Sequence, residues 1–368
     1  MRRWINIFTL YDWSLLFSAL ALTAIGLFTI YGISISHGAS DLFQFKKQLL
    51  AALIGVILAL SLAFIDYRQL RSLAIPIYLS GAALLGLVLL IGFSSRNAGR
   101  WFVIGPLSLQ PVEFAKVALA VLLAAYFSRF AHRRLSWTAF FGSLMAVGGY
   151  VFLTLLQPDF GSAMVLLAMW GCALLFCGLP RHAWWTLLLA ACAIGLVLWT
   201  VGLKPYQRDR ITSFFQPSHD PYGAAYNVTQ ARIAIGSGGW LGQGIGAGSQ
   251  ARLRFLPEAS TDFIFAVLGE ELGFVGLAVI LLLFGFLLYE FIRIAKHAED
   301  TFAGILLVTL AAFVAIHLLV NAGMNLGLLP VTGIPLPFLS AAASSLLTLF
   351  ISLGIAESIA VRSKGRFM

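Results

Sequence analysis

The chain has 368 residues, of which 60% are hydrophobic and only 11% charged, and its mean hydropathy is +0.92. Soluble domains carry roughly 45–50% apolar and about 25% charged residues, so this composition excludes an ordinary soluble enzyme or binding module. The net charge of +9 comes without a basic helix, a zinc-ligand spacing or interleaved basic and aromatic residues, so no nucleic-acid partner is expected.

Apolar runs long enough to cross a bilayer of about 30 Å recur along the whole length. In chain order they predict spans at 12–35, 47–65, 72–93, 111–129, 138–156, 161–179, 182–202, 262–292, 301–328 and 338–361. The fold class is therefore an all-α polytopic membrane protein of about ten transmembrane helices. It forms a single domain over 1–368, with a long extracytoplasmic loop, about 203–260, between helices seven and eight. The first run exceeds the apolar core of a signal peptide and has no polar processing segment after it, so it reads as a first membrane helix. Only Gln157-Pro158-Asp159-Phe160-Gly161 divides the fifth run from the sixth. Proline and glycine there predict a sharp turn rather than one continuous span. Cys172, Cys177 and Cys192 lie inside apolar runs without metal-ligand spacing and read as packing residues.

The cations orient the spans. Arg2, Arg3, Arg68, Arg71, Arg129, Arg133, Arg134, Arg181, Arg293, Lys296, Arg362, Lys364 and Arg366 fall in alternate short connections and make 13 of the 24 Lys plus Arg. That bias places them, and both termini, in the cytoplasm. Lys46 and Lys47 can snorkel at a helix end. The remaining nine, Arg96, Arg100, Lys116, Lys204, Arg208, Arg210, Arg232, Arg252 and Arg254, cluster in or beside two outer segments, 94–116 and 203–260. Cations gathered against the topological bias point to an anionic ligand on the outer face. A long translocated loop escapes the positive-inside rule and explains the second cluster without a ligand, but hardly the first.

Within the long loop, Tyr206-Gln207-Arg208-Asp209-Arg210-Ile211-Thr212-Ser213-Phe214-Phe215 has the mixed character of an interfacial amphipathic helix. Residues 224–235 carry a second helical pattern. Residues 236–248 then hold seven glycines in thirteen positions. No P-loop Lys-Ser/Thr follows them, so they read either as a structural turn or as a loop that cradles a phosphate.

The loop re-enters the membrane through Leu256-Pro257-Glu258-Ala259-Ser260-Thr261-Asp262-Phe263. Asp262 reads either as a first-turn acid favoured by the helix dipole, capped by Thr261 or Ser260, or as a carboxylate at the bilayer surface able to act as a base or hold a cation. Deeper in the same helix lie Glu270 and Glu271; at about 100° per residue only Glu270 shares Asp262's side. Glu113 and Lys116 share a face at the start of the fourth helix, and an internal ion pair is the bland reading. His317, inside the ninth span, reads as a helix–helix contact. The residues alone leave two functions open: an enzyme acting on a lipid-linked anion at the outer leaflet, or a transporter with charges in its path.

The same motifs carry a resemblance. Arg232 to Gly244, then Gly248-Ser249-Gln250, Phe255-Leu256-Pro257-Glu258, Thr261-Asp262-Phe263-Ile264-Phe265-Ala266 and Glu270-Glu271-Leu272-Gly273 resemble the SEDS proteins (shape, elongation, division and sporulation). Further matches are Arg100-Trp101, Gln110-Pro111-Val112-Glu113-Phe114-Ala115-Lys116, Gln157 to Gly161 and Pro335-Leu336-Pro337-Phe338-Leu339-Ser340. The order agrees throughout, and Ile233-Ala234-Ile235-Gly236-Ser237-Gly238-Gly239 with Gly248-Ser249-Gln250 looks more like the elongation member RodA than the division member FtsW.

The resemblance implies an inverting peptidoglycan glycosyltransferase in the bacterial cytoplasmic (inner) membrane, its active site facing outward. Such enzymes polymerise lipid II into β-1,4 glycan and release undecaprenyl diphosphate. They work with a class B penicillin-binding protein and, for RodA-like members, other elongation-complex membrane proteins. The family's essential aspartate matches Asp262, the expected base. Arg100, Lys116, Arg208 and Arg210 are then candidate diphosphate ligands, with Glu113 orienting Lys116 and Glu258 and Glu270 candidate substrate contacts. No cofactor is implied with certainty; the diphosphate leaves room for a divalent cation (Mg or Mn), although no dedicated metal-ligand cluster stands in the sequence. A lipid II flippase and a non-catalytic scaffold for the cross-linking partner are the alternatives. Two departures stand out. Ala341-Ala342-Ala343-Ser344 replaces the family's usual Tyr-Gly-Gly-Ser, and Val112 replaces a serine.

Overall fold

A computed structural model describes residues 11–36, 42–91, 93–95, 98–104, 107–130, 136–178, 185, 205–216, 223–253 and 255–365. Among these, nine helices are long and apolar enough to cross a membrane. They are α1 (Trp13–Ser36), α2 (Phe43–Phe64), α4 (Ala74–Ile91), α5 (Pro111–Phe127, extended by a 3-10 turn at Ser128–Phe130), α6 (Trp137–Leu156), α7 (Phe160–Cys177), α11 (Ile264–Lys296), α12 (Thr301–Asn325) and α13 (Ala343–Gly365). The span expected at 182–202 lies outside the described residues, apart from residue 185. Gln157 ends α6 and Asp159 caps α7, accepting from the Ser162 amide at 3.1 Å, so the fifth and sixth spans are separate helices as expected.

The helices differ in how they face their surroundings. Along α5, α12 and α13 most side chains are buried, whereas α2, α4 and α6 expose whole apolar faces. In a membrane an exposed Leu or Phe meets lipid, so the former are the centre of the bundle and the latter its rim. Packing at the centre is backbone-close. Gly55 of α2 lies under the Phe350 ring of α13, and Gly354 of α13 lies against the backbone of Ala59.

One end of the bundle is held by charge pairs. Arg293 pairs with Asp12 and, at 2.5 Å, with Glu290, while Arg68 of the short helix α3 (Arg68–Ser72) pairs with Glu299. Arg362 donates to the Ala63 carbonyl at 3.1 Å and lies 3.5 Å from Asp66. These are the connections whose cations oriented the spans in the sequence.

The other end is more elaborate than the expected loops. A small antiparallel sheet, β1 (Phe93–Ser95), β2 (Ala98–Ile104) and β3 (Leu107–Leu109), precedes α5. Sequence analysis gave these residues no strand, because such short strands offer too little alternation to read. The long loop contains α8 (Pro205–Phe215), α9 (Ala224–Ser237) and the single turn α10 (Ser249–Arg252). Helix α9 packs on α11, with Ala231 and Ala234 buried against Ala266 and Val267. The last span starts at Ala343 rather than 338, since 337–341 form a turn.

Candidate active site

Asp262 stands one residue before Phe263, the N-cap of α11, and is half-buried. The capping expected of Ser260 or Thr261 does not form, and no side chain caps this helix. The Ser260 hydroxyl instead donates to Gln44 Oε1 of α2 at 2.6 Å. The Thr261 hydroxyl turns back to the carbonyl and carboxylate of Glu258, both at 3.2 Å. Glu258 itself is exposed and adopts φ +56, a left-handed conformation that closes the tight turn ahead of the helix.

That turn is braced by the segment before α13. The Ala341 amide donates to the Ser260 carbonyl at 2.8 Å, and the Ser340 hydroxyl to the Thr261 carbonyl at 2.7 Å. Gln48 of α2 holds the Ser340 carbonyl at 2.8 Å. Gly333, at φ +77, lets this segment pass beside the carboxylate: a Cβ there would stand 3.6 Å from Asp262 Oδ2. The alanines at 341–343 need no glycine, because among the described residues of this segment only Phe338 and Gly333 have positive φ. Val112, at the other departure, is buried in the core.

The glycine run is explained by a break in α11. Gly273 adopts φ 67, ψ −166, which interrupts the helix about 14 Å along from Ile264. The break strands the carbonyls of Glu270 and Glu271 and the amides of Phe274 and Val275. The glycine loop satisfies all four. Gln243 and Gly244 donate to those carbonyls at 2.9 Å each, and the carbonyls of Gly239 and Trp240 accept from the amides at 2.8 and 3.1 Å. Backbone can meet backbone only without side chains: a Cβ on Gly238 would lie 2.0 Å from the Gly269 carbonyl oxygen. Non-helical backbone at membrane depth is tolerated only when paired in this way. Of the two readings left open in the sequence, the structural turn is the one observed.

The deeper acids serve the same loop. Glu271 Oε1 accepts from the Gly246 amide at 2.8 Å. Glu270 Oε1 accepts from the Gln250 amide at 3.0 Å and the Ser249 hydroxyl at 3.1 Å. Glu270, expected to share a cavity with Asp262, is instead fully buried against Gly248–Gln250. Asp262 lies ahead of the N-cap Phe263, in the turn rather than in the helix, so a uniform 100° projection from it does not place Glu270.

Glu113 and Lys116 form the expected ion pair at 2.7 Å, and Lys116 also meets His317 Nε2 at 3.0 Å and the Phe313 ring at 5.5 Å. All three titratable groups are buried. Enclosed in this way, Lys116 and Glu113 do not present themselves to a diphosphate at the mouth of the bundle, so the ligand role expected of Lys116 is not the one its contacts describe. Arg100 is likewise engaged: its guanidinium donates to the Gln157 carbonyl at 2.6 Å and to that of Pro158, tying β2 to the α6–α7 turn. Arg208 lies on α8, half-buried. Arg210 belongs to the same helix, but its side chain is outside the described residues.

The structure therefore joins Asp262 and the Glu113–Lys116 pair through α12. His317 Nδ1 faces the Pro335 carbonyl at 3.3 Å, Asn321 donates to the carbonyls of Ile334 at 2.8 Å and Asp262 at 3.0 Å, and Asn325 donates to Asp262's carbonyl at 3.1 Å. Sequence analysis did not single out either asparagine. The available signal was their i, i+4, i+8 spacing from His317 inside an apolar span, where amides are uncommon and mark contacts.

Known proteins share this architecture. Residues 12–365 match the family model of the cell cycle proteins FtsW, RodA and SpoVE. The chain is 37% identical over 361 residues to the probable peptidoglycan glycosyltransferase FtsW of Trichlorobacter lovleyi, covering 96% of this chain and 94% of that one. It is 36% identical over 365 residues to the stage V sporulation protein E of Bacillus subtilis, covering 96% and 98%. Among solved structures, a chain of a peptidoglycan synthase complex that coordinates polymerization and crosslinking superposes with a TM-score of 0.81 at 32% identity, covering 96% and 98%. The rod shape determining protein RodA of Thermus thermophilus superposes with a TM-score of 0.70 at 30% identity, covering 97% and 98%.

Proposed function

The chain belongs to the FtsW/RodA/SpoVE family, also called SEDS, and from that premise we propose that it polymerises lipid II into β-1,4 glycan at the outer face of the bacterial cytoplasmic membrane. The reading rests on one observation above the others: Asp262 is a half-buried carboxylate at the re-entry of α11, in a turn braced from α2, α12 and the segment before α13. A carboxylate so held can take the proton from the acceptor sugar's 4-hydroxyl as that oxygen bonds to the donor's anomeric carbon. The bond to undecaprenyl diphosphate breaks on the opposite side, so an α-linked donor gives a β-linked product. Arg208 and Arg210 are the proposed contacts of the diphosphate, on their charge and their outer-loop position in the sequence. Any divalent cation (Mg or Mn) would travel with the diphosphate, because no three His, Cys, Asp or Glu side chains converge among the described residues.

The basic end of the bundle, with Arg68, Arg293 and Arg362, faces the cytoplasm in this reading, together with both termini. A class B penicillin-binding protein cross-links the product, consistent with the superposition on a chain from a polymerization and crosslinking complex. Elongation and rod shape are the cellular role, on the wording of residues 233–239 and 248–250; relatives with division and sporulation names make this the part to test in cells. Restoration of rod shape in an elongation-deficient strain supports it, and correction only of division or spore defects overturns it.

The biochemical test is direct. Purified chain, with and without its cross-linking partner, is given labelled lipid II. Glycan polymer from wild type and none from Asp262→Ala is the expected result. Lipid translocation without polymer would point to a flippase, and neither activity to a scaffold.

A further inference from the structure

His317, Asn321 and Asn325 recur every four residues and so form one stripe along α12. All three are buried in an otherwise apolar span. Their contacts form one connected line. Lys116 donates to His317 Nε2, which leaves the proton on Nδ1 to face the Pro335 carbonyl. Asn321 then spans from the neighbouring Ile334 carbonyl to that of Asp262. Asn325 donates to the same Asp262 carbonyl and, at 2.8 Å, to the Asn321 carbonyl.

Two features of the line do not belong to ordinary helix packing. First, Asp262's carbonyl receives two side-chain amides. The first turn of α11 bypasses it, because the amides of Ala266 and Val267 both donate to Phe263. Second, Asn325 Oδ1 is buried with no hydrogen-bond partner. Leaving a buried acceptor unpaired is costly, and a residue kept only for helix packing would be replaced without loss by an apolar one. Asn325 is thus present for its donors, and those donors end on Asp262 and on Asn321, which itself holds Asp262.

We propose that this stripe is a positioning strut. Asn321 and Asn325 fix the peptide plane of Asp262 and hence the direction in which its carboxylate leaves the chain. His317, locked to Lys116, fixes Pro335, two residues after the Gly333 that lies beside that carboxylate. The buried Glu113–Lys116 pair then acts on the reaction through α12 rather than by touching substrate. The catalytic consequence rests on the proposed polymerase reading; the geometric one does not.

Two measurements on the full-length chain with its partner test the strut. In the lipid II assay, Asn325→Leu is expected to lower kcat about 10- to 100-fold with KM for lipid II within about twofold, as for a displaced reacting group. Asn325→Asp separates positioning from folding, because a protonated carboxyl supplies one O–H donor where the ionised form supplies none. Its activity relative to wild type should rise as pH falls, while Asn325→Leu stays low throughout. Wild-type kcat in Asn325→Leu, or identical losses in both variants at every pH, overturns the catalytic claim. The second measurement needs no turnover: in Asp262→Cys chains, a charged thiol reagent reports how residue 262 is presented. Adding Asn325→Leu should change the modification rate at least about threefold, since an unpinned side chain samples other directions. An unchanged rate overturns the strut even if polymerisation proves not to be the function. A changed rate without lipid II polymerisation by wild type upholds the strut and overturns the polymerase reading alone.

Discussion

The start of α11 and its break ten residues on both carry carboxylates, yet the two regions use them in different ways. At the start, the turn that carries Asp262 is braced from α2, α12 and the segment before α13, and Asp262 is half-buried. At the break, Glu270 and Glu271 turn inward and each gives its Oε1 to the glycine loop. An acid in a membrane helix is a functional-site hypothesis by default. The comparison shows a second use: closing a hole in the helix's own hydrogen-bond ladder. What separates the cases is where the acid stands: Asp262 in a braced turn ahead of the helix, Glu270 and Glu271 within it, each giving both its carbonyl and a carboxylate oxygen to the loop.

Exchange of side chains breaks the comparison most sharply at Asp262. Asp262→Ala is expected to lower polymerisation by about 10²–10⁴-fold, the range of a general base, and to leave the thermal midpoint in detergent close to wild type. Glu270→Gln keeps an acceptor for Gln250 and should show the reverse pattern, a small stability loss with most of the activity retained. Comparable rate losses in both variants at equal stability would erase the distinction drawn here.

The next largest effect falls on the loop itself. Gly238→Ala places a methyl where the Gly269 carbonyl stands, 2.0 Å away, with backbone on both sides and no flexible side chain to yield. Overpacking of this kind costs about 1–3 kcal/mol or more. The expected outcome is poor recovery of folded protein and fast proteolysis between residues 236 and 248. Gly236→Ala is the control, since nothing lies within 4 Å of its added carbon.

The sequence made the outline legible because lipid imposes it. Spans, the separation of α6 from α7 at Gln157–Asp159 and the ion pair of Glu113 with Lys116 follow from local rules about apolar length, turn residues and helical spacing. Two features of α11 were not legible. Asp262 lies ahead of the N-cap, so a helical projection from it misplaces Glu270, and the break at Gly273, φ 67, is what gives the glycine run its purpose. The diphosphate-ligand reading of Arg100 and Lys116 could not see their further partners, the Gln157 carbonyl and His317, because these lie 57 and 201 residues away. Asn321 and Asn325 were passed over since an amide carries no charge to notice, although their spacing from His317 was visible.

Substitutions at Glu271 sharpen the same contrast at smaller cost. Glu271→Gln retains an oxygen for the Gly246 amide, so its effect should be slight. Glu271→Leu leaves that half-buried amide without its acceptor, a loss of about 1 kcal/mol, the low end of the range for a buried donor. The difference is measured as the shift in thermal midpoint between the two variants. No difference between them would mean that the amide finds another partner and that Glu271 is not the staple assigned here.

Ala342→Gly gives the smallest expected effect and bears on the departure from the family's Tyr-Gly-Gly-Ser. Ala342 has no positive φ, and its carbonyl accepts from the Leu346 amide at 2.9 Å as α13 begins. Glycine there adds freedom to the unfolded chain without relieving strain in the folded one. The expected destabilisation is about 0.4–1 kcal/mol, with lipid II polymerisation unchanged. The site end of the segment should not register the change, because it is held through the Ala341 amide and the Ser340 hydroxyl, neither of which the substitution touches. A gain in polymerisation on introducing glycine would show that the missing residue serves motion during the reaction rather than the resting fold. In that case the brace around Asp262 opens in each cycle, and its fixed backbone describes only one of the states the enzyme visits.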